Sequence, residues 1–134
     1  MTAENRKLNA EQELERAREA LASADLLNEH GHLSDAISRL SYCALYNIRA
    51  VLLTEGLEPR SHEGALRLFS LHFVKSGLFP PDSAHLFSRL MKYREEADYN
   101  PSYVFAGQDY SALRRDLDML IGRIQQHLKA RGYL

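Results

Sequence analysis

Apolar residues recur along this chain at spacings of three and four, and Pro and Gly break the rhythm at only a few points. That spacing is the mark of amphipathic helices. Ala10, Leu14, Ala17, Leu21, Ala24 and Leu27 predict a first helix from about Ala10, or earlier, to about Glu29, closed by Gly31. Ile37, Leu40, Ala44, Ile48, Val51 and Leu52 predict a second from near Ser34 to Gly56. Ser34 is its expected N-cap, Asp35 complements the helix dipole, and Gly56 fits the position after the C-cap. A third helix is expected after Ser61, carrying Leu66, Phe69 and Phe73 and ending at Gly77. The step Pro80-Pro81-Asp82 opens a fourth, which Pro101 stops near Tyr99. A loop from Asn100 to Gln108 then leads into a fifth helix, from about Asp109 to Arg131, with Leu113, Leu117, Leu120, Ile121, Ile124 and Leu128 on one face. No segment alternates as a strand would. The expected fold is all-α: an antiparallel up-and-down helical bundle of four long helices plus one shorter helix. It forms one domain over residues 1–134, with its core at about 8–131.

Composition narrows the function classes. Hydrophobic residues at 45% and charged residues at 26% describe a globular chain of 134 residues, not a disordered one. Its 17 basic and 18 acidic residues sum to a net charge of −1, which excludes an overall nucleic-acid coat and leaves a local basic stripe open. Arg makes up 13 of those 17, a bias suited to bidentate and stacked contacts at interfaces. The lone Cys43 excludes an internal disulfide and a CxxC pair, and its apolar mid-helix setting reads as packing. The amino-terminal stretch does not read as a signal peptide, and the longest aliphatic run, Ala50 to Leu53, falls far short of the roughly 20 residues that span a bilayer. The expectation is a cytoplasmic protein with no membrane association. Neither a phosphate-binding glycine loop nor HExxH occurs. His30 and His32 supply two potential ligands at a helix end, whereas structural zinc usually takes four. No metal and no cofactor are expected.

Two helical stripes carry chemistry. On the second helix Arg39, Tyr42, Tyr46 and Arg49 fall within about 80° of one another, on the side away from Leu40, Ala44 and Ile48. Arg and Tyr together are favoured in interfaces, so the stripe is either an interface or a second, half-buried packing face. On the fourth helix Phe87, Leu90, Met91, Arg94 and Asp98 share one face, which turns from apolar to charged over its last two turns. Arg94 and Asp98 are spaced i,i+4 and can pair. That pair is either structural or an anion clamp for phosphate, nucleotide or RNA.

The long second helix SRLSYCALYNIRAVLLTEGLEP, the SHEG turn, the segment LFSLHFVKSGLF and the fourth helix ending in YREEADYNP occur in order. Together they resemble the HEPN-domain family, in its small stand-alone prokaryotic branch with an R-E-x-A-D-Y signature, over roughly residues 8 to 130. The resemblance implies a helical bundle that homodimerises. It also implies a partner, a minimal nucleotidyltransferase, in a toxin–antitoxin module. Active members are metal-independent ribonucleases with Arg, four to six residues, then His, the two protomers' motifs meeting at the dimer cleft. Arg94 matches the motif Arg, but Tyr99, Asn100 and Pro101 stand where the His would fall. Arg67 and His72 satisfy the pattern as text, but lie about 140° apart on the third helix and too early in the chain. The candidate catalytic residues are therefore Arg94, Asp98 and Tyr99, and the candidate nucleotide or RNA site adds His62, which can alternatively act only as a cap. The expected function is a dimeric HEPN-like binding module. A ribonuclease toxin lacking the usual His, and a purely structural interaction domain, are the alternatives.

Overall fold

The computed structural model describes the backbone of residues 2–134 and their side chains, apart from those at positions 107 and 108. Five α-helices follow one another: α1 (Ala3–Glu29), α2 (Leu33–Thr54), α3 (His62–Phe69), α4 (Pro81–Tyr99) and α5 (Gly107–Ala130). A π-helical turn, Ser70–Val74, continues α3. Among the described residues there is no strand. The fold is the expected all-α bundle of four long helices and one short one.

The central element is α2, which packs against all four of the other helices. The reason is its composition: Ala36, Ile37, Leu40, Ala44, Ile48, Val51 and Leu52 leave it apolar around most of its circumference, and all are fully buried. Against it α1 lays a row of small residues, Ala10, Ala17, Ala20 and Ala24. Small side chains let the two axes approach closely. At one end of the bundle Phe69, Phe73 and Phe79 pack together around His127.

Helix ends follow local chemistry, with three differences from expectation. Gly31, at φ +82°, closes α1, and the His32 N–H reaches back to the Leu27 carbonyl at 2.8 Å. This six-residue closure runs directly into the next helix, so α2 starts at Leu33 with His32 as its N-cap. Ser34 is therefore inside the first turn and is not the cap. Ser61 caps α3 as expected, its Oγ accepting from the Gly64 N–H at 2.9 Å. The third helix, expected to run regularly to Gly77, instead ends at Phe69 and widens. The Lys75 N–H donates to the Ser70 carbonyl at 2.9 Å, five residues back. That wide turn carries Phe73 into the core beside Phe69, their rings 5.9 Å apart. Finally, α5 begins two residues before the expected Asp109, whose carboxylate accepts from the Ala106 N–H at 2.9 Å. Among the described residues no helix is long and apolar enough to cross a membrane.

Candidate functional site

The inward face of α4 changes character along its length. Phe87 and Leu90 are fully buried and Met91 nearly so. One turn on, the Arg94 side chain is 12% exposed and the Asp98 side chain 32%. Arg94 donates to Asp98 Oδ2 at 3.2 Å, and Ser38 Oγ on α2 donates to Asp98 Oδ1, also at 3.2 Å. Asp98 thus joins α4 to α2 while orienting Arg94. The Arg94 Nε is buried without a hydrogen-bond partner. Burial works against the charge on Arg94, but Tyr42, Asp98 and Tyr99 outweigh it and hold the pKa above the ordinary arginine value. The group is a permanent, partly desolvated cation.

Tyr42 is the hub. The Arg39 guanidinium lies over its ring at 4.5 Å and that of Arg94 at 5.8 Å. His62 meets the same ring edge-on, with centroids 5.5 Å apart, and Tyr46 lies 6.1 Å away. The His62 Nε2 is buried with no hydrogen-bond partner. Burial, then the Arg94 and Arg49 charges, push the His62 pKa below the usual histidine value. At neutral pH the ring is an uncharged imidazole, able to accept a proton or a hydrogen bond.

The polar face continues down α2 toward α1. Arg16 lies over the Tyr46 ring at 4.1 Å and donates to its hydroxyl at 3.2 Å. Arg16 also donates to Glu13 Oε1 at 3.2 Å, while the Arg49 Nε stands 3.7 Å from Glu13 Oε2. The stripe Arg39, Tyr42, Tyr46, Arg49 is therefore a half-buried face packed on side chains of its own chain. It runs unbroken into the Arg94 cluster, so the two stripes read separately in the sequence are one surface.

Of the expected site residues, Arg94 and His62 meet at Tyr42, Asp98 is tied to them through Arg94, and Tyr99 sits at the rim, 77% exposed. Sequence reading missed Ser38, Glu13 and Arg16. Ser38 lies four residues before Tyr42, on the same helical face, which is the signal that was there to be used. Glu13 is 8% exposed, and its spacing of three from both Ala10 and Arg16 places it at the edge of the α1 packing row. Arg67 and His72 are both exposed, on either side of the start of the π-helical turn, and His30 and His32 are exposed at the α1–α2 turn. Cys43 is buried, and burial pushes its thiol up to about 12, so it is no nucleophile at neutral pH.

A second polar cluster ties α5 to α1. Arg114 grips Asp25 with two hydrogen bonds, Nε to Oδ1 at 2.9 Å and NH2 to Oδ2 at 3.0 Å. The Tyr110 hydroxyl donates to the same carboxylate, and Asp118 also pairs with Arg114. The Arg114 hydrogen bonds hold the Asp25 carboxyl below its ordinary pKa, against the effect of burial. Every principal group here has a partner, so the cluster is a staple.

The molecule is thus an all-α bundle whose central helix shares a cation–aromatic face with an inward Arg–Asp pair. The HEPN domain model matches residues 10–128, and the chain belongs to that family. It is 30% identical over 111 residues to a UPF0332 protein of Thermotoga maritima, covering 83% of this chain and 84% of that one. A Methanocaldococcus jannaschii protein named "Putative toxin MJ0605" is 28% identical over 116 residues, covering 87% of this chain and 86% of its own. The UPF0332 protein PH1297 of Pyrococcus horikoshii is 51% identical over 59 residues, 44% of this chain and 42% of that protein.

Proposed function

We infer that this chain is a dimeric HEPN binding module that takes nucleotide or RNA on the Arg94–Tyr42–Arg39 face. It would act in the cytoplasm as the partner of a minimal nucleotidyltransferase in a toxin–antitoxin module. The observation that carries this reading is the partly desolvated Arg94, fixed by Asp98 with its Nε unpartnered and set against Tyr42. An oriented guanidinium binds phosphate oxygens, and an aromatic ring beside it gives a base something to stack on. The name carried by the Methanocaldococcus relative supports the toxin–antitoxin setting. The test is fluorescence anisotropy of a short single-stranded RNA, with Arg94→Ala as the comparison. Wild-type binding that falls at least tenfold in the variant supports the reading, and equal affinity for the two overturns it.

A second reading, a ribonuclease, is favoured by His62, whose uncharged ring with an unpartnered Nε2 shares Tyr42 with Arg94. It offers the proton acceptor that position 99 lacks. Cleavage of single-stranded RNA that is lost in both His62→Ala and Arg94→Ala would establish it.

A further inference from the structure

One end of the polar face holds an acceptor and a donor that do not satisfy each other. Glu13 Oε2 and Arg49 Nε stand 3.7 Å apart, both buried and neither with a hydrogen-bond partner. They attract as an ion pair, but their alignment leaves each of these buried atoms without the hydrogen bond it could make. They line a cleft of about 370 Å³ between α1, α2 and the chain before α3, with Gln12, Glu58 and Arg60 among its walls. The Glu13 side chain is only 10% exposed, while that of Arg49 is 35% exposed, so Arg49 is the one free to swing. Outward rotation of Arg49 would open Glu13 Oε2 to the cleft.

We propose that this cleft reads a guanine base, with Glu13 accepting from N1–H and N2–H and Arg49 donating to O6. The inference rests on the nucleotide or RNA reading above and names the base that face selects. The Watson–Crick edge of guanine presents one acceptor followed by two donors. The pair here presents one donor followed by a two-oxygen acceptor, and a carboxylate has lone pairs enough to keep the Arg16 hydrogen bond at Oε1 as well. Adenine puts its N1 lone pair against the carboxylate and is repelled. Uracil matches only in part, because its O2 faces the second carboxylate oxygen. From Tyr42 to Arg49 is about 10 Å along the helix axis, which leaves Arg39 and Arg94 for the backbone phosphates while a base sits by Glu13. Tyr46, under Arg16, lies between the two ends.

The test uses the full chain and three five-nucleotide RNAs: oligoadenylate, and the same strand with a single central guanine or uracil. Guanosine monophosphate serves as a competitor, to separate a guanine carried on RNA from a free nucleotide. The expected result is about tenfold or greater tightening for the guanine strand, with uracil in between. Glu13→Gln keeps the shape and removes the charge that repels adenine N1, so it should erase that preference by weakening the guanine strand and tightening oligoadenylate. Competition by the monophosphate at concentrations near the RNA affinity assigns the site to the free nucleotide, and its failure assigns it to RNA. Equal binding of the three strands overturns the guanine assignment and leaves the RNA reading standing. No binding of any strand or of the monophosphate overturns both.

Discussion

The Arg94 guanidinium lies 5.8 Å from the centre of the Tyr42 ring, and this contact, beside the Ser38–Asp98 hydrogen bond, joins α4 to the polar face of α2. Through it an Arg–Asp pair on one helix and an Arg–Tyr stripe on another become a single surface, with His62 edge-on to the same ring.

The pair should matter only modestly to stability. Arg94 is well buried, but the Asp98 side chain is 32% exposed and keeps Ser38 as a donor. Arg94→Ala and Asp98→Ala should each cost about 1–2 kcal/mol, between the values for exposed and fully buried pairs. Urea unfolding measures this. A loss above about 4 kcal/mol in both variants would mark the pair as purely structural.

Stability should fall as pH drops from 7 to 5. His62 and His127 both have pKa values pushed below the ordinary 6.5, chiefly by burial. In that range the unfolded chain binds protons that the folded one does not. Their contribution is therefore complete above about pH 6.5 and is lost as pH falls toward the folded values. Urea midpoints across this range should slope downward, and the slope should flatten in His62→Gln combined with His127→Gln.

The staple between α1 and α5 gives a sharper stability test. Arg114→Lys keeps the charge but loses the two-pronged grip on Asp25. It should destabilise by about 1–2 kcal/mol, with Arg114→Ala at about 2 kcal/mol or more. A double-mutant cycle with Asp25→Asn should give a coupling energy of at least about 0.5 kcal/mol.

Cys43 should be inert in the folded protein. A thiol-reactive dye at pH 8 should label it only in denaturant, since the thiol is buried and titrates at about 12. Rapid labelling of the native protein would contradict this packing.

Light scattering at micromolar concentration should give about twice the 15.3 kDa of one chain. The motivation is the Arg39–Tyr42–Tyr46–Arg49 face, only half covered by its own chain, together with family membership. A mass of one chain would remove the dimer from the proposed function.

The fold was legible in the sequence because it rests on local rules. Apolar spacing set the faces of α1, α2 and α5, Ser61 announced the start of α3, and Gly31, Gly56 and Gly132 took up the positive φ that helix ends require. The inward turn of Arg94 and Asp98 was legible too, since side chains four apart share a face. Three things depended on tertiary packing. The π-helical turn at Ser70–Val74 arises where Phe69 and Phe73 both enter one aromatic cluster, and no spacing in the chain encodes that cluster. The meeting of His62 with Tyr42 depends on the angle at which α3 docks on α2, which hydrophobic periodicity leaves open. The unsatisfied approach of Glu13 to Arg49 joins residues 36 positions apart on two helices. Periodicity tells which side of a helix is buried. Which polar atoms then face each other, and whether they are close enough to bond, is decided by how the helices pack.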